Sequence, residues 1–323
     1  MKTLRSSGTD RGVIDRGLIK RKLLHTAVYI VLLLSVTFTA SSQTPPPATP
    51  PMPGTLIDVG GYRVHLYCTG EGHPAVLIVG AFSFDWALVQ PEVAKFTRVC
   101  TFDPSGTAWS DPFKAGTPSC KDRVHEIRQL ITNAPIDGRY VLVGYSVGAL
   151  WARLYAAEYP ANLAGMVIVD HAFVGDPAKG GSAAKATAGT LQGYHPPTLV
   201  TDAPIVIEWQ DDSNFSQLPK QDQDLHDWAL AQNPVRPNYQ MAVDCISNLK
   251  TIARNRPFPL GDMRLVVIST DNETAGYLNL QKELLSLSRR SEHVIAWNST
   301  HMVPIDAPEV IIESIHKVVS SER

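Results

Sequence analysis

Charge is scarce in this sequence and close to balanced. Only 19% of the 323 residues are Asp, Glu, Lys or Arg, and the formal net charge is -2 at pH 7. No basic face stands out, so nucleic acid is not expected as a partner, because binding a phosphate backbone needs clustered Lys and Arg. Metal-ligand spacings are missing as well. Neither Cys-x-x-Cys nor His-Glu-x-x-His occurs and the ten histidines are scattered, so no metal and no cofactor is expected. Cysteine is limited to Cys68, Cys100, Cys120 and Cys245, a set that fits an oxidising compartment. Cys68 and Cys100 fall in apparent core strands and read as buried thiols. Cys120 and Cys245 sit in less regular stretches and are candidates for a bridge. The long apolar run from Leu23 to Phe38 covers about 16 residues and includes His, Thr and Ser, short of the ~20 that a spanning helix needs.

That run belongs to an N-terminus unlike the rest of the chain. Arg11, Arg16, Lys20, Arg21 and Lys22 precede it, and Ala40, Ser41 and Ser42 follow it. Residues 1–42 therefore read as a signal peptide cleaved after Ser42, or else as a retained N-terminal membrane anchor or a merely apolar leader. Under the first two readings the rest of the chain is exported: periplasmic, extracellular, or anchored and facing outside. Residues 43–54 hold six of the 24 prolines and form a spacer of polyproline II character that packs as neither helix nor sheet.

From residue 55 to 323, strand-like and helix-like stretches alternate. Leu56 to Tyr67 reads as a hairpin around Gly60-Gly61, Ala75 to Val79 as a continuous apolar strand, Trp86 to Phe96 as a helix, and Thr97 to Phe102 as a strand. Val124, Ile127, Leu130 and Ile131 mark one helical face. Ala164 to Val169, Leu265 to Thr270 and His293 to Trp297 are further strands, with helices at Leu278 to Ser288 and Pro308 to Val319. Uninterrupted apolar strands between helices imply a mostly parallel sheet covered on both faces. Between about 172 and 262 the rhythm breaks, with helical pieces at Asp222 to Gln232 and Tyr239 to Arg254. A structureless loop of that size is improbable, so the segment reads as an inserted helical cap.

The chemistry centres on Gly144-Tyr145-Ser146-Val147-Gly148, placed between the strand Tyr140–Val143 and a helical pattern. A sharp strand-to-helix turn crowds the positions two before and two after the serine, and glycine occupies both. Such a turn lifts the Ser146 hydroxyl out of the sheet. A serine becomes a nucleophile when a base takes its proton and an acid holds that base. His301, after the last strand and before the terminal helix, is the candidate base; His171 is its rival at a strand end. The acid is Asp170 or, alternatively, Glu273 or Asp271. Oxyanion donors are expected from the N–H of Val147 and from that of Ala81 or Phe82, in the turn after Gly80. Phe82, Phe84, Trp86 and Trp109 are candidates for an apolar acyl pocket.

Taken in order, Val79-Gly80-Ala81, Asp103-Pro104-Ser105-Gly106, Gly144-Tyr145-Ser146-Val147-Gly148, Ile168-Val169-Asp170 and Thr300-His301 resemble the α/β-hydrolase superfamily over about residues 55–323. The resemblance implies an α/β-hydrolase fold: a mostly parallel eight-stranded sheet with helices on both faces, a cap after strand six, and the order nucleophile, acid, histidine. Val79 stands where the family usually has His, and Tyr145 where His is common before the serine. The resemblance implies a serine hydrolase, carboxylesterase-like, that cleaves a small-molecule ester or related acyl substrate. A non-catalytic small-molecule-binding relative, and a cofactor-free haloperoxidase or carbon–carbon bond hydrolase, are the other readings. The oligomeric state is left open.

Overall fold

The computed structural model describes residues 49–134, 136–171, 215–232, 239–255, 259–271, 278 and 281–322. The expected leader, Glu273 and residues 172–214 of the expected cap lie outside the described residues. Within them the strands are β1 (Thr55–Asp58), β2 (Arg63–Thr69), β3 (Ala75–Val79), β4 (Val99–Asp103), β5 (Tyr140–Tyr145), β6 (Leu163–Val169), β7 (Arg264–Thr270) and β8 (Arg290–Ala296). The helices are α1 (Gln90–Val93), α2 (Cys120–Asn133), α3 (Val147–Glu158), α4 (Lys220–Gln232), α5 (Tyr239–Asn255), α6 (Val303–Asp306) and α7 (Pro308–Ser320). No helix among the described residues is long and apolar enough to cross a membrane.

One eight-stranded sheet runs in the order β1-β2-β4-β3-β5-β6-β7-β8. Only the β1–β2 and β2–β4 pairs are antiparallel. The opening hairpin turns where Asp58 Oδ1 accepts the N–H groups of Gly60 and Gly61 at 2.9 and 3.1 Å. Both glycines adopt positive φ, 109° and 92°, which a Cβ would oppose. In the parallel part, alternate residues serve opposite layers. Leu77, Val79 and Leu142 pack with Val124 and Ile127 of α2, Leu150 and Leu154 of α3 and Met241 of α5. Val76, Ile78, Val141 and Val143 pack with Val93 of α1 and Ile311, Ile315 and Val318 of α7. Burial on both faces is what a run such as Ala75–Val79, with no polar position, requires.

The chain leaves β3 toward β4 on one side and returns as β5 on the other. The strand order therefore reverses between β3 and β5, and it is beyond the carboxyl ends at such a switch point that doubly wound sheets place ligands. The turn after Gly80 and the turn at Ser146 lie side by side there.

Three expectations change. The helix expected over Trp86–Phe96 is a 3₁₀ turn at Ser83–Trp86 followed by the short α1. Pro91 explains the break, because a residue with no N–H is tolerated only in a first helical turn. The helix expected over Leu278–Ser288 closes as a 3₁₀ turn at Leu284–Leu287. Cys68 and Cys100 are not thiols but a disulfide. The antiparallel register sets them directly opposite each other, with Cα atoms 4.0 Å apart, a long-range pairing that local pattern does not encode. The expected Cys120–Cys245 bridge is present and joins the first residue of α2 to α5. Met241, Ala242 and Cys245 of α5 belong to the core layer, so this part of the expected cap is bolted to the sheet.

Two predictions follow from the packing. A methyl on Gly165 would lie 2.2 Å from Val318 Cγ1, so Gly165→Ala should destabilise the protein by about 1–3 kcal/mol through overpacking. Urea unfolding checks this, and trimming Val318 to Ala should recover part of the loss; a neutral Gly165→Ala would contradict the close approach of α7. Replacing Cys120 and Cys245 together by Ser, which frees a loop of 125 residues, should cost about 2–5 kcal/mol in the same assay.

Candidate active site

β5 ends in a turn that only special residues tolerate. Ser146 sits at φ 53° and ψ -125°, a sparsely populated region whose strain is of the order of 1–3 kcal/mol and needs support from its surroundings. Gly144 and Gly148 make that support possible. A methyl on Gly144 would lie 2.7 Å from Ala149 Cα, and one on Gly148 2.3 Å from the Val79 carbonyl oxygen. Ser146 also donates its N–H to the Val169 carbonyl at 3.1 Å, tying the turn to β6. Although Ser146 is the N-cap of α3, its side chain makes no capping bond, which leaves Oγ for a partner outside the helix.

That partner is His301. Its Nε2 lies 2.8 Å from Ser146 Oγ, and its Nδ1 lies 2.5 Å from Asp170 Oδ2. An ionised Asp170 is an acceptor only, so Nδ1 carries a proton and Nε2 accepts from the serine hydroxyl. Asp170 is fully buried, donates its own N–H to the Ile268 carbonyl at 2.8 Å, and accepts from Gln281 Nε2 at 3.1 Å. A buried carboxylate with two donors has little freedom to turn away. The imidazole is half-buried.

The His301 loop is held by Asp306 and by Tyr145. Thr300 donates its N–H and Oγ1–H to Asp306 Oδ2 at 2.6 and 2.7 Å. Tyr145 donates its hydroxyl to the His301 carbonyl at 2.9 Å and stacks its ring on the imidazole, centroids 5.2 Å apart. Trp86, expected as a pocket residue, instead packs edge-on against Tyr145 and donates Nε1–H to the Gly80 carbonyl at 3.0 Å. It braces the site from the core.

The remaining candidates separate cleanly. His171 receives Arg153 Nη1 on its Nε2 at 2.8 Å; burial pulls the pKa of that guanidinium down to about 10. Ser146 Oγ is met by His301 and not by His171. Asp271 follows β7, its Oδ1 buried and without a hydrogen-bond partner among the described residues, and the geometry brings Asp170, not Asp271, to His301. On the oxyanion side, Val147 is the first residue of α3, where N–H groups have no intrahelical acceptor. Ala81 adopts φ 59°. Phe82, the alternative second donor, gives its N–H to Asp85 Oδ2 at 2.9 Å.

Beside this turn lies an apolar cluster of Phe82, Phe84, Leu225, Trp228 and Ala229, with Ala108 and Trp109 packed against it. Phe82 and Phe84 stack at 5.1 Å, and Trp109 meets Trp228 at 5.2 Å. Three of the four aromatics expected in an acyl pocket thus stand together, joined by three residues of α4, Leu225, Trp228 and Ala229, that pattern alone did not single out. Also missed were Gln281, Tyr145, Asp306 and Asp85. For Asp85 the signal was available: an acid at the third position of a turn is a common way of closing a cap onto its own backbone.

Relatives of known structure share this arrangement of strands. A thermophilic esterase from Thermogutta terrifontis superposes with a TM-score of 0.60 at 18% identity, covering 83% of this chain and 98% of that one. A meta-cleavage product hydrolase from Pseudomonas fluorescens IP01 gives a TM-score of 0.56 at 18% identity, covering 82% of this chain and 98% of that one. Among curated proteins, Bacillus subtilis "Uncharacterized protein YqjL" is 22% identical over 259 residues, 77% of this chain and 85% of its own length. Schizosaccharomyces pombe "Uncharacterized protein C23C11.06c" is 34% identical over 83 residues, which span 25% of this chain and 15% of that protein. The Alpha/beta hydrolase family model matches residues 75–314. With the sheet order, the turn at Ser146 and this match over most of its length, the chain belongs to the alpha/beta hydrolase family.

Proposed function

We propose that the protein is a serine hydrolase that cleaves a carboxylic ester, or a related acyl bond, of a small-molecule substrate through an acyl-enzyme. The observation that carries the reading is the continuous line Asp170 Oδ2, His301, Ser146 Oγ, with both hydrogen bonds at or below 2.8 Å. In this mechanism His301 Nε2 takes the Ser146 proton as Oγ adds to the acyl carbon. The tetrahedral oxyanion accepts from the N–H groups of Ala81 and Val147. His301 then returns the proton to the departing alcohol, and water repeats the sequence to release the acid. Asp170 holds the ring in the required tautomer and stabilises its charged form.

The apolar cluster beside Phe82 supports an acyl group with a hydrocarbon portion, since such walls reward burial of apolar surface. The two disulfides support export into an oxidising compartment, as a signal peptide or retained anchor in residues 1–42 would deliver. The fold also occurs in a meta-cleavage product hydrolase, and carbon–carbon bond hydrolysis is the second reading; an ester and a vinylogous diketone assayed side by side separate the two.

With p-nitrophenyl esters of graded chain length, the wild-type protein should give a burst of one p-nitrophenol per chain followed by slower turnover. Ser146→Ala should abolish the burst. Asp170→Asn should lower kcat by about 10⁴-fold, and Asp271→Asn should stay within a few-fold of wild type. Equal losses in the two aspartate variants would sink the assignment of the acid, and absence of turnover on every acyl substrate would favour a non-catalytic binding protein.

A further inference from the structure

The turn that carries the second oxyanion donor is not held by its own backbone preferences. Ala81 at φ 59° is a non-glycine residue in left-handed space, which costs about 1–2 kcal/mol and is kept only where neighbours enforce it. Two buried carboxylates do the enforcing. Asp103, at the end of β4, accepts Ser83 N–H at 2.8 Å on Oδ1, and on Oδ2 accepts Ser83 Oγ–H at 3.1 Å and pairs with His65 Nδ1 at 2.7 Å. Asp85 accepts Phe82 N–H on Oδ2, and its Oδ1 lies 2.7 Å from Nδ1 of His226.

His226 is not part of the sheet or its loops. It lies on α4, 141 residues away from Asp85 in sequence. Both side chains are almost fully buried, and the His226 ring is surrounded by Phe82, Phe84 and Phe215 at centroid distances of 5.3, 6.2 and 4.6 Å. One helical turn earlier, the Asp222 carboxyl faces the same place; burial first and the Asp85 charge second push its pKa up. Asp85 thus faces α4 with one oxygen and its own turn with the other, and the hydrogen bonds from His226 and from Phe82 N–H together offset its burial. Removing one member of such a pair leaves the other uncompensated and free to reorient.

We propose that His226 is a positioning residue: through Asp85 it fixes the Ala81–Phe82 turn so that the Ala81 N–H points at the oxyanion, which makes catalytic competence depend on the seating of α4. The proposal rests on the acyl-transfer reading above and assigns it a control point. Seating α4 closes the apolar wall of Leu225 and Trp228 and, by the same contact, aims the donor.

The test compares the full chain with His226→Leu, which removes the donor, and His226→Asn, whose amide falls near Nδ1 and restores it. With a p-nitrophenyl ester, His226→Leu should lower kcat by about 10- to 10²-fold, the scale of a misaimed oxyanion donor, while KM changes less than threefold. Affinity for a trifluoromethyl ketone, whose adduct carries the oxyanion, should fall by the same factor as kcat/KM. His226→Asn should recover most of both, and should do so with an unchanged melting temperature. His226→Gln, equally polar but with its amide displaced toward the Nε2 position, repeats the comparison should the leucine variant fail to fold. Activity of His226→Leu within twofold of wild type overturns the inference. So does a loss confined to KM, or a loss that Asn does not rescue. A wild-type protein without turnover and without ketone adduct would instead remove the hydrolase reading, and this inference with it.

Discussion

The structure turns on a line of two hydrogen bonds that draws together three loops from distant parts of the chain. Ser146, Asp170 and His301 follow β5, β6 and β8, and they meet because parallel strands put all their carboxyl ends on one edge of the sheet. A serine held at φ 53° has no conformational reason to stay there. The elbow persists because α3 packs so closely on β3 and β5 that Gly144 and Gly148 cannot carry a side chain. Strain at Ser146, burial of Asp170 and stacking of Tyr145 on the His301 imidazole are one device. In the proposed reaction each would remove a freedom that the reacting groups otherwise lose when substrate arrives.

The oxyanion side is built on a different principle. In the proposed reaction the Val147 N–H comes from a helix start, and the Ala81 N–H from an irregular turn whose neighbours Phe82 and Ser83 donate to the buried Asp85 and Asp103. On the proposal that His226 aims this turn through Asp85, half of the anion-stabilising machinery would belong to α3 and half would depend on the seating of α4. That division matches a general feature of lidded enzymes, in which closure completes the catalytic constellation.

Much of this was legible in the sequence, for identifiable reasons. Ser146 announced itself because its turn demands glycine on both sides, a local requirement. Asp170 and His301 were found because a strand end followed by a short loop is a local pattern, and the sheet then guarantees their proximity. What escaped reading depended on partners far apart in the chain. The Cys68–Cys100 bridge is a consequence of antiparallel register between β2 and β4, which neither strand encodes alone. That the Phe82 N–H is taken by Asp85 hinges on where one carboxylate points. The link from Asp85 to His226 spans 141 positions and joins two elements whose sequences read independently. Long-range side-chain pairing was the missing information, and only coordinates supply it.

The central claim is that Ser146 is an activated nucleophile, and covalent capture tests it most directly. Treatment of the full chain with a fluorophosphonate, followed by digestion and mass spectrometry, should place a single adduct on the peptide containing Ser146. Labelling should slow sharply in His301→Ala, because the base that removes the hydroxyl proton is gone. An adduct on another residue, or labelling at equal rates with and without His301, would contradict the account.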